Sequence, residues 1–160
     1  MIEVPYYQLD IDADIVVPAV ARALRARVAA APHLDVAPPP ARWPAWLLED
    51  PCGVALRLLQ TVPSSEVLDR AIDKAATHFC REQRPLHLGE VRTVMVRNMF
   101  FIHDYPAMCR RRRVPEDRQH YYELLVFLLW PAVALVYLDE VAEPDGYTLV
   151  AGDEPVRRTG

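Results

Sequence analysis

Glycine is scarce, five residues in 160, and none of them falls in a G-x-G-x-x-G or P-loop pattern. Loops that cradle phosphate on backbone N–H groups need that freedom, so the common nucleotide-binding motifs are excluded. Cysteine is scarce too. Cys52, Cys80 and Cys109 are an odd number, widely spaced and without C-x-x-C. That argues against a disulfide framework and for thiols in a reducing compartment. No G-x-S-x-G or other nucleophile signature is present. His78, Cys80, His87, His103 and Cys109 are zinc-ligand types, but none shows a ligand spacing. On a helix of 3.6 residues per turn, His78 and Cys80 would point about 200° apart. Neither a metal nor a cofactor is expected.

Lysine and asparagine are nearly missing: Lys74 stands against seventeen arginines, and Asn98 is the only asparagine. A GC-rich coding sequence or selection for heat resistance gives such a bias, so it speaks of the genome more than of chemistry. Net charge is −4, which argues against general nucleic-acid affinity. The charge is uneven. Arg110 to Arg118 hold five arginines against Glu116 and Asp117, whereas seven acids follow Gln119 against Arg157 and Arg158. The two zones are suited to pair with each other, within the fold or between subunits.

The N-terminus, MIEVPYYQLD, has no basic region followed by an apolar run. No secretory signal is therefore read, and a cytoplasmic location is expected. One long apolar run exists. Leu124 to Leu138 is fifteen residues without a charge. As a helix it would extend about 22 Å, short of the roughly 30 Å of a bilayer core. Pro131 divides it, so a buried core element is the better reading and no membrane is expected.

What is present reads as a helix-rich α+β domain over residues 1–152. About four helices pack on a small antiparallel sheet that includes a C-terminal β-hairpin, and residues 153–160 form a polar, frayed tail. Ile2 to Leu9 suggests an edge strand, because Pro5 cannot donate to a ladder. Asp12 or Asp14 caps a helix with the stripe Val17, Val20, Leu24 and Val28, Pro18 falling in its first turn. APPPARWPAWLLEDP is an irregular ordered loop pinned by Trp43 and Trp46, and Val54 to Leu59 is a short strand or one helical turn. Pro63-Ser64-Ser65-Glu66 starts a second helix, with Leu68, Ile72, Ala75 and Phe79 facing inward. Residues 88–103 carry β-branched Thr93, Val94 and Val96, yet Leu88, Val91, Met95, Met99 and Ile102 fit a helical stripe, and helix is preferred. Val114-Pro115-Glu116-Asp117 opens a further helix that Pro131 stops near Trp130. VALVYLDEV and YTLVA, joined through Asp145-Gly146, read as the hairpin from about Ala132 to Ala151.

Two groups of residues are candidate sites. Arg110, Arg111, Arg112 and Arg113, with Arg118 beyond them, can grip phosphate or carboxylate. Four consecutive residues on a helix point in four directions, however, and Glu116 and Asp117 sit beside them. A solvated or internally paired loop is therefore favoured. Tyr6, Tyr7, Trp43, Trp46, Tyr121 and Tyr122 are of the residue types enriched at binding hot spots. With no catalytic signature, the leading expectation is a non-enzymatic interaction protein: a subunit or adaptor of a larger assembly, with a protein partner or a second copy of itself. A nucleic-acid-binding regulator using residues 110–113 is the first alternative. A thiol- or metal-dependent enzyme is the second.

Overall fold

Asp12 starts the first helix. Its backbone is extended and its carboxylate accepts from the Asp14 N–H at 3.2 Å, satisfying one of the donors that a helix start leaves unpaired. A computed structural model describes residues 6–31, 56, 59–60, 65–103, 105–142, 146–151 and 154–156. Trp43, Trp46 and Cys52 lie outside the described residues, as does the irregular loop built around them. Helix α1 (Ala13–Ala30) buries Val20, Ala21, Leu24 and Val28. Pro18 lies inside it, deeper than the first turn. The carbonyl that this proline leaves without a donor belongs to Asp14, which is exposed and can be hydrated. At the other end, Gln60 Nε2 donates to the carbonyls of Val28 and Ala31, both at 2.7 Å. The two described positions of the VALRLL stretch, Leu56 and Leu59, are helical and buried.

Helix α2 (Ser65–Glu82) buries Leu68, Ile72, Ala75 and Phe79 as their spacing predicts, together with Ala71, Ala76 and Cys80. It ends in a left-handed residue, Gln83, at φ 49°. The Gln83 side chain then closes on the main chain of Ile11. It accepts from the Ile11 N–H at 3.3 Å and donates to the Ile11 carbonyl at 3.0 Å. The ambiguous segment is helical, α3 (Leu88–His103), with Val91, Met95 and Asn98 buried.

Further expectations for the rest of the chain fail. The arginine run is not a loop: Arg110, Arg111 and Arg112 form the last turn of a short helix, α4 (Tyr105–Arg112). There their charge meets the negative end of the helix dipole, which stabilises cations in the last turn. Asp117 is the cap of α5 (Arg118–Val136), its carboxylate accepting from the Gln119 N–H at 3.1 Å, so Pro115 and Glu116 precede the helix. Pro131 does not stop α5. The helix passes through it into a π-helical turn, Tyr137–Val141, closed by the Ala142 N–H on the Tyr137 carbonyl at 2.8 Å. Every residue from 131 to 138 is buried. A segment apolar on all sides is a core helix, whereas a half-buried strand would alternate.

The C-terminal hairpin therefore lies later than expected. Strand β1 (Tyr6–Leu9) is an edge, as Pro5 suggested, and pairs antiparallel with β2 (Tyr147–Ala151), Tyr6 opposite Val150 and Leu9 opposite Tyr147. Strand β3 (Glu154–Val156) pairs with β2 on its other side, using residues read as a tail. The order is β1-β2-β3. Tyr7 and Leu86 exchange backbone hydrogen bonds at 2.7 and 2.8 Å, fixing β1 to the segment between α2 and α3. Asp10 N–H and the Tyr137 hydroxyl both donate to the carbonyl of Gly146, at 2.8 and 3.1 Å.

Helix α5 packs against α1, α2 and α3, and α1 also packs on α2. Leu24, Ile72, Phe79, Leu125, Leu129, Val133 and Tyr137 meet in the resulting core. By length and composition the 24-residue stretch Arg118–Val141 could cross a membrane, but 61% of its most apolar window is buried inside the fold.

Candidate functional site

The expected arginine site is a helix terminus. Arg113 has φ 56°. Its N–H reaches the Arg110 carbonyl at 3.2 Å, and the Val114 N–H reaches the Cys109 carbonyl at 3.0 Å. This bond pair, with a left-handed residue between, is the Schellman closure. Arg110, Arg111, Arg112, Arg113 and Arg118 are all exposed, and successive side chains on α4 diverge by about 100°. Among the described C-terminal acids, Asp139 and Glu140 hold Arg27 of α1, at 3.4 and 2.8 Å.

The aromatic candidates fall in two places. On β1, Tyr6 stacks on His87 with ring centres 5.3 Å apart, and Tyr7 meets Tyr147 edge-on at 5.5 Å. At the start of α5, Tyr121 packs edge-on against Tyr105 at 4.8 Å, and Tyr122 lies under the Arg70 guanidinium at 5.0 Å. Tyr105 itself was not singled out by sequence reasoning. Its hydroxyl accepts from the Asp117 N–H at 3.2 Å and lies 3.2 Å from His120 Nδ1, buttressing α4 against the cap of α5. Burial pushes its pKa up.

Between α3, α4 and α5 there is a cleft of about 530 Å³. Val91, Val94, Met108, Leu124, Phe127 and Leu128 form an apolar wall, with Phe127 69% exposed at the rim. Arg84, His87, Arg112 and His120 bring basic groups to it, against Glu90 as the acid. Arg112 is the single member of the arginine run that lines it. Arg84 also lies over the Trp130 ring at 4.5 Å, and Phe79 meets that indole edge-on at 5.8 Å.

Two polar atoms set this cleft apart. Asn98 is 5% exposed, and its Nδ2 has no hydrogen-bond partner among the described residues; the buried Nε1 of Trp130 has none either. Both side chains line the cleft. A buried donor without an acceptor carries a desolvation cost of about 1–3 kcal/mol, and such groups are few in folded proteins. Pro131, also in the lining, has no N–H for the carbonyl of Phe127 four residues back. The cleft therefore combines two side chains whose buried N–H donors are unpaired with a basic rim and an apolar wall. No Ser, Thr or Cys among the described residues lines it. Among the described residues no group of three His, Cys, Asp or Glu side chains is placed to hold a metal.

The sequence did carry a signal for this site. Asn98 falls on the buried stripe of α3, three residues after Met95 and seven after Val91, where an apolar residue belongs. The only asparagine of the chain thus places a polar group on a face that is otherwise apolar.

No family model, no curated protein and no solved structure matches this chain.

Proposed function

We propose that the protein works by binding, without bond-making chemistry of its own, and that the cleft between α3, α4 and α5 receives the bound group. One observation carries this reading: two buried donors without acceptors, Asn98 Nδ2 and Trp130 Nε1, belong to side chains lining one apolar cleft. The volume lies within the roughly 300–1,000 Å³ of small-ligand sites. A subunit or adaptor that senses a small molecule fits these features. Titration with anilinonaphthalene sulfonate, an aromatic anion whose fluorescence rises in apolar sites, tests it. One dye per chain is expected, and Val94→Trp, which fills the cleft from a half-buried position, should remove that binding while circular dichroism stays native. Dye binding that Val94→Trp leaves intact would place the site elsewhere.

The nucleic-acid reading keeps one supporting feature: the arginines at residues 110–113 and at 118 are exposed. Replacing residues 110–113 by alanine should then lower the salt slope of duplex binding by about one unit per lost phosphate contact. An unchanged slope removes this reading.

A further inference from the structure

We infer that the cleft takes a small carboxylate with an apolar body, its carboxylate on the N–H groups of Asn98 and Trp130 and its body along Val94, Leu124 and Phe127. This rests on the cleft being the binding site, and it names the chemical class that fills it.

The unpaired atoms are donors. Asn98 Nδ2 and Trp130 Nε1 both need an acceptor, and indole nitrogen can do nothing but donate. An ionised carboxylate is acceptor-only and has two oxygens to offer. Hydrogen bonds to an ionised acceptor are shorter and roughly twice as strong as neutral ones. The charge around the cleft agrees in sign: among the described residues, Arg84 and Arg112 line it against Glu90. Arg84 is shared with Glu82, at 3.0 Å, so Arg112 supplies the less encumbered positive charge. The wall argues for the rest of the molecule. An inorganic anion would leave Val94, Leu124 and Phe127 uncovered, whereas an alkyl or aryl body removes them from water. Phe127, 69% exposed, has no packing role in the described fold that would account for a phenyl ring at that point. A neutral alcohol would cover the wall equally, but it lacks the charge and the second acceptor oxygen.

The decisive comparison is decanoate against decanol, titrated by calorimetry into the full chain below the micelle concentration of either. Decanoate should bind at least tenfold more tightly. Asn98→Leu keeps the apolar stripe of α3, and Trp130→Phe keeps an aromatic ring; neither substitution should unfold the chain. Each should erase most of the preference for decanoate while changing decanol affinity less than about threefold, because a charge-assisted hydrogen bond is worth roughly a factor of ten or more. Equal affinity of the wild-type chain for the two compounds overturns the carboxylate, although binding in the cleft would stand. The same holds if neither compound binds while the dye still binds in a Val94→Trp-sensitive way. If dye, acid and alcohol all fail to bind, the cleft is not a binding site and both readings fall.

Discussion

Arg113 and Gln83 share a backbone conformation that non-glycine residues avoid, with φ 56° and 49°, yet glycine should act on them in opposite directions. At Arg113 the exposed side chain has no part in the Schellman closure, which the backbone makes alone. Arg113→Gly relieves about 1–2 kcal/mol of left-handed strain and gives back roughly 0.5–1 kcal/mol through the freer unfolded chain. A net gain of about 0.5–1 kcal/mol follows. At Gln83 the same relief is available, but the side chain makes two hydrogen bonds to Ile11. Ile11 is 6% exposed, so its N–H and carbonyl would be left with little access to water. Two net contributions of about 1 kcal/mol are lost, together with a desolvation cost of about 1–3 kcal/mol. Set against the net relief of about 0.5–1 kcal/mol, Gln83→Gly should therefore destabilise by about 2–4 kcal/mol. Urea unfolding followed by circular dichroism gives both values from the midpoints at constant slope. Stabilisation by both glycines would refute the role given to the Gln83–Ile11 clasp. Destabilisation by Arg113→Gly would mean that the arginine side chain is engaged in a way its exposure does not suggest.

Alkaline pH is the second lever. Burial pushes the Cys80 thiol up to about 11 from 9.0, and the Tyr137 hydroxyl up to about 12 from 10.0, with the neighbouring thiol as a smaller cause. The folded chain then holds these protons more tightly than the unfolded one. Stability is fully present below pH 9 and falls as pH rises toward 12, by roughly 1.4 kcal/mol per pH unit for each group within its window. Urea midpoints at pH 8, 9.5 and 11 check this, and a flat profile would contradict the burial of both groups. Tyr137→Phe removes the bond to the Gly146 carbonyl at 3.1 Å and should cost about 1 kcal/mol at pH 7, while making the alkaline fall shallower. An equally steep fall in that variant would assign the titration to another group.

The helices with a polar side were legible in the sequence. The stripes of α1 and α2 came through because a helix half in water must sort its residues at intervals of three and four. The segment 88–103 was decided correctly on the same grounds, against the β-branched Thr93, Val94 and Val96. Helix α5 was not legible beyond Trp130. Once all sides are buried there is no polar face to set the period, and a proline then looks like a boundary. Placing Val133 to Val141 in a strand followed from that, and the expected hairpin was displaced with it. Only its second arm, Tyr147–Ala151, is a strand, and that strand's partners are β1 and β3. The arginines were legible as a terminus but were assigned to the wrong side of it: they close α4 and do not introduce α5. Of the cleft, only Arg112 came from the expected list. Its other members sit on three helices and on the segment between α2 and α3, and sequence spacing within one helix carries no information about which residues face one another across a gap.

The pairing of β1 with β2 also governs how the chain must be made. Tyr6–Leu9 emerges from the ribosome long before Tyr147–Ala151, and all five helices among the described residues lie between them. Throughout that interval the first strand has no neighbour in the sheet, and the apolar flanks of α5 appear before the sheet can close. Nascent chains in that condition are open to association with one another and are the ordinary clients of chaperones. A stop codon or a protease that removes residues beyond Gly146 would take away the sheet partner of a strand at the opposite end of the polypeptide and leave it held by its bonds to Leu86, so damage at the carboxyl side would loosen the amino side.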